Sequence, residues 1–296
     1  MLRHLTSTPK LPPRVVIMGA AGFVGAALTK RLKESGGTTV VPLARAEIDL
    51  LAPDAGGKLA ALLKPEDAFV AVAARAPCKN VPMLVENMKM VAAMVEALTK
   101  SPVAHVVNIS SDAVYADSPS PLTEDSTTAP DTLHGVMHLA RELSFRSEIK
   151  APLAMLRPSL LYGAADPHNG YGPNRFRRLA NEGREIVLFG EGEERRDHVL
   201  IDDVAEIIAR VLAFRSTGTL NIATGTVHSF RDVARMVVEK SGASVAIKGS
   251  PRSGPMPHNG YRPFDSAATR AAFPDFAYTP MSVGLAQAQK QQSGKA

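Results

Sequence analysis

A loop with three glycines, set between an apolar run and a helical segment, constrains this chain more than any other feature. Residues 14–18 are RVVIM, the loop Gly19-Ala-Ala-Gly22-Phe23-Val24-Gly25 follows directly, and residues 26–33 have helical spacing. In such a unit the first glycine allows a tight turn, the second lets the backbone approach a pyrophosphate, and the third lets the helix pack closely on the strand. The helix N-terminus then offers free N–H groups to an anion. The loop predicts a Rossmann-type domain that binds a nicotinamide dinucleotide; a purely structural glycine turn is the alternative.

Strand and helix patterns alternate through the first half of the chain. Apolar runs at 38–43, 68–74, 103–109 and 154–158 are typical of strands, and residues 84–98 and 132–145 have apolar side chains at helical spacing. Pro42 puts the second strand at or near a sheet edge. The alternation predicts an α/β fold, a Rossmann-type doubly wound parallel sheet with helices on both faces.

The second half has a different texture. A basic helix is predicted over 175–182 and a strand over 185–189, and Ser229 begins a helix that ends before Gly242. We therefore predict a dinucleotide-binding domain at 12–165, with 198–226 packing back on it. A smaller C-terminal α/β substrate-binding lid is predicted at 166–197 and 227–287, and a disordered tail at 288–296.

Composition narrows the class of ligand and the compartment. The chain has no Trp and only 5% aromatic residues, so stacking platforms for nucleic acid are few. A net charge of +5, spread along the chain, favours an anionic small molecule. Cys78 is the only cysteine, so no intrachain disulfide can form and a reducing compartment fits. With no signal-peptide pattern and no apolar run of about 18 residues, the sequence predicts a cytoplasmic protein without a membrane partner.

The residue after the second strand bears on the choice of cofactor. An acidic residue there binds the free ribose hydroxyls of NAD, whereas an Arg can pair with the 2′-phosphate of NADP. The strand is followed by Leu43-Ala44-Arg45, with no carboxylate at the expected place. We expect NADP(H) to be preferred and NAD(H) to remain possible; a solvated surface charge is the alternative for Arg45.

A series of motifs follows in order along the chain: the glycine loop, Asp49-Leu50, Ala73-Ala74, Asn87, Ser110-Ser-Asp-Ala-Val-Tyr115, Thr123-Glu124, Arg157-Pro-Ser-Leu-Leu-Tyr-Gly163, Arg196-Asp-His-Val-Leu-Ile-Asp-Asp203, Asn221-Ile-Ala-Thr-Gly225 and Arg262-Pro-x-Asp265. In these motifs the chain resembles the extended short-chain dehydrogenase/reductases, the family of nucleotide-sugar epimerases, dehydratases and 4-keto reductases. The resemblance implies an NAD(P)-dependent oxidoreductase or epimerase that acts on a nucleotide-activated sugar. Its implied cofactor contacts are Gly19, Gly22, Phe23, Val24, Gly25, Arg45, Asp49, Leu50, Ala73, Ala74, Asn87, His138 and Pro158. A homodimer is common in this family.

The catalytic dyad departs from the family pattern. The resemblance implies a Ser/Thr together with Tyr-x-x-x-Lys, and Ser111 matches the first of these. Asp112 matches an acidic residue that sugar dehydratases carry. Where Tyr-x-x-x-Lys is expected, the sequence has His134-Gly-Val-Met-His138. Histidine titrates near neutrality without the help of a Lys cation, so His134 is predicted to shuttle the proton and His138 to hold the nicotinamide ribose.

Two other interpretations of the histidine pair stay open. Two His at i and i+4 can share a metal, but no third ligand has suitable spacing, and we predict no metal. The chain could also have lost catalysis and serve as a catalytically silent NAD(P)-binding protein with a structural or sensing role.

On the substrate side, the resemblance implies that Arg196 and Arg262 contact a diphosphate and that Asn174 touches the phosphates or the sugar. Guanidinium groups suit phosphate because they bind it with two parallel hydrogen bonds. Lys79 follows the strand at 68–74, at the sheet edge where ligands bind, and is predicted to assist. The predicted partner is a nucleotide sugar or a similar anionic small molecule.

Overall fold

A six-stranded parallel sheet forms the centre of the structure, a computed structural model that describes residues 1–293. The strands are β1 (Arg14–Met18), β2 (Thr39–Leu43), β3 (Ala68–Ala71), β4 (His105–Ile109), β5 (Leu153–Pro158), β6 (Leu160–Tyr162), β7 (Ile186–Phe189), β8 (Arg195–Leu200), β9 (Gly218–Ile222), β10 (Val227–Ser229), β11 (Ile247–Ser250) and β12 (Tyr261–Arg262). The helices are α1 (Phe23–Ser35), α2 (Ala55–Leu62), α3 (Val81–Lys100), α4 (Leu133–Glu148), α5 (Pro173–Asn181), α6 (Ile201–Ala213), α7 (Phe230–Ser241), α8 (Ala267–Ala272) and α9 (Met281–Ser293), with 3₁₀ turns at Asp112–Val114 and Pro257–Gly260.

The order of the strands makes this a doubly wound sheet. It runs β2-β1-β3-β4-β5-β9, and every neighbouring pair is parallel. The chain leaves β1 toward β2 on one side and returns to β3 on the other, so the winding direction changes between β1 and β3. Open sheets of this kind bind ligands at the carboxyl ends of the strands, where the direction changes. The predicted α/β Rossmann-type fold is confirmed.

Alternating side chains of the sheet pack into two apolar cores, one on each face. Val15 and Ile17 face a core completed by α1 and α6, whereas Val16 and Met18 face a core completed by α2, α3 and α4. Successive strand residues point to opposite faces, so a strand covered on both sides must be apolar throughout. That requirement explains the unbroken apolar run before the glycine loop. β2 lies at the edge of the sheet, as Pro42 predicts. Proline has no backbone N–H, so it is tolerated on an edge strand, where one side of the strand has no neighbour to receive a hydrogen bond.

The second half builds a smaller layer beside the carboxyl edge. β8 pairs with β10, β12 and β6, and β7 pairs with β11. A separate apolar core joins α5, α7 and α9 through Phe176, Phe230 and Leu285. α7 begins and ends as predicted, since Ser229 accepts a hydrogen bond from the N–H of Asp232 and Gly242 adopts a left-handed conformation. The segment 198–226 contributes α6 and β9 to the large sheet and its cover; the division into two domains stays a prediction.

The predicted disordered tail at 288–296 is wrong for its first part. α9 continues to Ser293, because Met281, Leu285 and Ala288 are buried on one side of this polar helix. The sequence shows few apolar residues there, but they recur at intervals of three and four, which suffices to anchor a helix. Residues 294–296 lie outside the described part of the chain. Within residues 1–293 we find no helix whose length and apolar character would let it cross a bilayer.

Candidate active site

A cavity of about 970 Å³ follows the carboxyl edge of the large sheet and continues under the smaller layer. Most of the predicted site residues line it: Gly19, Gly22, Phe23, Val24, Arg45, Asp49, Leu50, Ala73, Ala74, Ser111, Asp112, His134, His138, Pro158, Asn174, Arg196 and Arg262. Gly25, Lys79 and Asn87 do not line it. Residues from both halves of the chain thus share one continuous space, with the glycine loop at one end and Arg196 at the other.

The glycine loop has the shape that a dinucleotide needs. Gly19 has a positive φ of 100°, and a Cβ there would lie 2.5 Å from the backbone nitrogen of Ala73. A Cβ on Gly25 would lie 2.2 Å from the carbonyl oxygen of Gly19. No side chain caps the N-terminus of α1 at Gly22. The first-turn N–H groups therefore suit a pyrophosphate, and Gly25 acts by letting α1 pack against the loop.

Arg45 and Asp49 form an exposed ion pair at the other side of the loop. The Nε of Arg45 lies 3.1 Å from Oδ2 of Asp49, and the Arg45 side chain is 81% exposed. A hydrogen bond from the N–H of Leu51 lowers the pKa of Asp49. Because Arg45 is exposed and holds only one carboxylate oxygen, its remaining donors are available to a ligand in the cavity.

Two residues predicted to contact a ligand, Asn87 and Lys79, do not line the cavity. The side chain of Asn87 accepts the N–H of Arg75 and donates to the carbonyl oxygens of Arg75, in the loop after β3, and of Met83, in the first turn of α3. Asn87 therefore supports the cavity wall from behind, and its contact with a cofactor stays a prediction. Lys79 is exposed and does not line the cavity, whereas Arg75 of the same loop does; its contact with substrate stays a prediction.

His134 and His138 lie on the first turns of α4, with ring centroids 4.7 Å apart and nearly perpendicular planes. α4 begins at Thr132, whose side chain accepts a hydrogen bond from the N–H of Gly135. A Cβ on Gly135 would lie 2.1 Å from the carbonyl oxygen of Ala113, so the helix start is pressed against the turn that holds Ser111. This close approach brings the two predicted halves of the catalytic centre together.

Both histidines are held in a setting that favours the neutral form. Burial lowers the pKa of His134, and the Asp112 carboxylate opposes this effect. His138 is buried, and burial, the His134 ring and the Arg141 guanidinium together put its pKa well below the ordinary value. The Nδ1 atom of His138 is buried without a hydrogen-bond partner. A buried polar atom without a hydrogen-bond partner lowers the stability of the fold, unless a bound ligand supplies the missing partner.

Ser111 and Asp112 form a short polar relay. The Ser111 hydroxyl donates to Oδ1 of Asp112 at 3.3 Å and accepts the N–H of Ala113 at 3.2 Å. Arg262 donates to Oδ2 of Asp112 at 3.1 Å and to its carbonyl oxygen at 2.6 Å. The carboxylate is therefore oriented with one oxygen on Arg262 and the other on Ser111.

A buried cation below the histidines was not predicted from the sequence. Arg141 donates to Oδ1 of Asn108 at 2.5 Å and to the carbonyl oxygens of Ala71 and Ala73 at 2.6 Å each. Burial lowers its pKa to about 10, so it stays charged at neutral pH. Within residues 1–293 it has no carboxylate partner within salt-bridge distance. A signal was present in the sequence: Arg141 lies four residues from both Met137 and Phe145, which are buried on the same helix face.

Two tyrosines of the sequence motifs, Tyr115 and Tyr162, are engaged away from the cavity. The hydroxyl of Tyr115 donates to Asn221 and accepts from Arg157, and the Arg157 guanidinium lies 4.8 Å from the Tyr115 ring centroid. Arg157 in turn pairs with buried Glu142 at 2.6 Å. Tyr162 is buried in the core of the smaller layer. Neither of these two tyrosines lines the cavity; Tyr171 does, and its hydroxyl accepts the N–H of Phe189.

At the far end of the cavity, polar groups lack partners. Arg196 donates through Nε and Nη2 to Glu194, but its Nη1 is buried with no partner. His198 also lines the cavity, and neither of its ring nitrogens has a hydrogen-bond partner. Burial lowers the pKa of His198 to about 3. His198 was not predicted from the sequence, although it lies two residues after Arg196 on β8 and so shares its face.

Arg262 and Asn174 reach the cavity with their bonds partly used. Arg262 pairs with Asp112 and with Asp117 at 3.0 Å, in addition to backbone oxygens. Asn174 accepts the N–H of Gly163 and donates to the carbonyl oxygen of Leu161. Among the described side chains, no group of three or more His, Cys, Asp or Glu is placed to hold a metal ion.

Comparisons with known proteins agree with this geometry. A family model described as "NAD dependent epimerase/dehydratase family" matches residues 15–223. The chain is 28% identical over 261 residues to UDP-glucose 4-epimerase of Mycolicibacterium smegmatis, covering 78% of this chain and 83% of that protein. UDP-glucose 4-epimerase of Thermus thermophilus, solved in complex with NAD, superposes with a TM-score of 0.82 at 21% identity, covering 96% of this chain and 100% of that one. A GDP-6-OMe-4-keto-L-xylo-heptose reductase from C. jejuni gives a TM-score of 0.81 at 18% identity, covering 98% and 100%.

Proposed function

The chain belongs to the NAD-dependent epimerase/dehydratase family, and from this we propose that it is an NAD(P)-dependent enzyme that epimerises or reduces a nucleotide-activated sugar. The observation that carries the proposal is the single cavity that joins the glycine loop, the Ser111 and His134 centre and the unpartnered Nη1 of Arg196. A protein that only bound a dinucleotide would not need a buried cation at the far end. This feature favours an enzyme over the catalytically silent alternative.

The cofactor end fits a nicotinamide dinucleotide through the loop of Gly19, Gly22 and Gly25 and the uncapped start of α1. Such a cofactor supplies hydride transfer to or from a sugar carbon. We propose that NADP(H) is preferred, because exposed Arg45 stands where the 2′-phosphate is expected and can bind it alongside its Asp49 partner. His138 would contact the nicotinamide ribose through its ring, whose Nδ1 has no hydrogen-bond partner in the protein.

The substrate end fits a diphosphate. Nη1 of Arg196 is a buried donor with no hydrogen-bond partner. Burial lowers the pKa of Arg196, and the nearby Glu194 carboxylate opposes this effect. A phosphate oxygen would complete this donor with a charge-assisted bond. Ser111 and His134 lie between the two ends and would contact the reacting hydroxyl or carbonyl oxygen.

Turnover on a substrate panel tests this proposal. Purified protein is given NADPH and a set of nucleotide-4-keto-sugars, and the absorbance of the reduced nicotinamide is followed. A parallel set with NAD⁺ or NADP⁺ and nucleotide-hexoses is analysed by chromatography, because an epimerase leaves no net change in the nicotinamide. We expect turnover that Ser111→Ala abolishes while cofactor binding stays intact. Tight cofactor binding with no conversion of any nucleotide sugar would contradict the proposal.

We also propose a homodimer formed through α3 and α4, in the cytoplasm where reduced Cys78 is stable. These helices pack on each other and leave Val81, Val85, Val136 and Leu143 exposed. Clustered exposed apolar side chains are typical of an interface. Leu143→Glu should convert the dimer to a monomer in light scattering, and Val187→Glu, an equally exposed site on β7, is the matched control. A wild-type monomer would refute this.

A further inference from the structure

A backbone contact favours one tautomer of the His134 ring. The N–H of Cys78 points at Nδ1 of His134 with a separation of 3.4 Å. A backbone N–H can only donate, so this contact favours Nδ1 as the unprotonated acceptor, with the ring proton on Nε2. No described protein group accepts a hydrogen bond from that Nε2, and His134 lines the cavity. The neutral ring therefore presents an N–H donor to a ligand.

The surroundings oppose a second proton on this ring. If Nδ1 were protonated, its hydrogen would face the amide hydrogen of Cys78, and the two N–H groups would repel each other. The His138 ring lies edge-on at 4.7 Å, with the buried Arg141 cation behind it. Asp112 is the carboxylate that acts on His134, but its Oδ2 is already paired with Arg262. A group that cannot readily gain a proton is a poor acid, and a ring that carries its proton on Nε2 cannot accept one there.

We propose that His134 is a neutral Nε2–H donor that binds and polarises the reacting oxygen, and that Ser111 and Asp112 carry the proton. This inference rests on the proposed function, and it replaces the proton-shuttle role that the sequence predicts for His134. A neutral imidazole held by a backbone N–H is an effective electrophile toward a carbonyl oxygen. The Ser111 hydroxyl has the complementary arrangement, because its proton faces Asp112 Oδ1 and one of its lone pairs remains for the substrate.

Proton and hydride leave the sugar by separate routes. In the oxidative direction the sugar hydroxyl gives its proton to Ser111 Oγ, and the Ser111 hydroxyl proton moves to Asp112 Oδ1. A bound nicotinamide dinucleotide would accept the electron pair of the C–H bond as hydride, and His134 would donate its hydrogen bond to the new carbonyl oxygen. Reduction is the reverse and begins with protonated Asp112. In an epimerase the proton stays on Asp112 between the two hydride transfers.

Nitrogen NMR tests the tautomer without any need for activity. The protein is labelled with ¹⁵N-histidine, and the His134 signals are assigned by their loss in His134→Gln. We expect Nδ1 to stay unprotonated and Nε2 to stay protonated across the pH range in which free histidine in the same buffer titrates. A His134 ring that titrates with free histidine, or that carries its proton on Nδ1, overturns the inference whether or not the proposed function holds.

Substitutions test the role in turnover. Gln at position 134 keeps an N–H donor at a similar reach but cannot carry a proton, whereas Leu has a similar size and no donor. We expect His134→Gln to keep kcat within roughly tenfold of wild type with an unchanged pH profile, and His134→Leu to lose on the order of 100-fold or more. Asp112→Asn should lose a comparable amount. The inference fails if Gln is as inactive as Leu while cofactor still binds, or if Asp112→Asn retains full activity.

Discussion

Replacing Arg196 with Met removes the donor that the substrate-binding proposal needs. Two of its nitrogens bind Glu194, and Nη1 is buried without a partner beside the cavity. Met fills much of the same volume with an apolar chain. The substitution should therefore weaken the binding of a nucleoside diphosphate and leave the distant cofactor loop unchanged.

The magnitude follows from the kind of bond that is lost. A hydrogen bond to a charged group contributes about 1.5–3 kcal/mol, which corresponds to roughly a 10- to 150-fold higher dissociation constant. The free energy of unfolding should fall as well, because Glu194 is only 6% exposed and would lose its closest cation. Breaking a buried ion pair by removing one partner costs about 3–5 kcal/mol. Arg252, whose Nη1 lies 3.8 Å from Glu194, should bring the cost to the low end of that range.

A double substitution separates the two effects. Glu194→Gln combined with Arg196→Met removes the unpaired carboxylate and should recover most of the lost stability in urea unfolding, yet it should not recover affinity. Calorimetric titration with UDP, GDP and dTDP measures substrate-side binding, and titration with NADPH checks the cofactor end. If the folded double variant binds all three nucleotides as tightly as wild type, the assignment of Arg196 is refuted.

Three further outcomes follow from the geometry. Arg45→Ala should weaken NADPH binding by roughly 5- to 30-fold, which is a loss of about 1–2 kcal/mol for one exposed charge-assisted contact. NADH binding, measured by the same fluorescence titration, should change little. Equal losses of affinity for both cofactors would refute the 2′-phosphate assignment. Gly19→Ala should abolish binding of both cofactors, because its Cβ would lie 2.5 Å from the backbone nitrogen of Ala73; near-normal affinity would refute the close approach. Burial lowers the pKa of His105 from its ordinary 6.5 to about 4, so the unfolded chain binds more protons between these values and stability falls as the pH drops through this window. The slope should reach about 1.4 kcal/mol per pH unit for this group, and urea unfolding of His105→Gln at several pH values should show a slope smaller by that amount.

The first half of the fold could be predicted because its signals are local. The unbroken apolar run of β1, the turn at Gly19 and the edge position of Pro42 each follow from backbone sterics or from burial on two faces. The tail prediction failed because α9 is anchored by a few apolar residues whose partners come from α7, an element well separated from it in the sequence.

Within the site, residue identity was predictable but the direction of each side chain was not. Asn87 stands at the expected place on α3, yet its amide bonds the backbone of Arg75 in the loop after β3 and of Met83 in its own helix. The helical spacing of Arg141 from Met137 and Phe145 indicates its buried position, but not its carbonyl partners Ala71 and Ala73 at the end of β3. The tautomer of His134 depends on the N–H of Cys78, which is 56 residues away in the chain. The partners in such contacts are set by tertiary packing and cannot be read from the spacing of residues in the sequence.

Rapid mixing of the cofactor-loaded protein with nucleotide sugars tests the central claim most directly. Protein saturated with NAD⁺ or NADP⁺ is mixed with a panel of nucleotide-hexoses, and the near-ultraviolet absorbance of reduced nicotinamide is followed within a single turnover. An epimerase forms reduced nicotinamide transiently, and a reductase forms it when it runs in the oxidative direction. We therefore predict a rise in this absorbance with at least one nucleotide sugar, and we expect Ser111→Ala to abolish the rise. No rise with any sugar, although calorimetry shows that cofactor and nucleotide sugar both bind, would contradict the account.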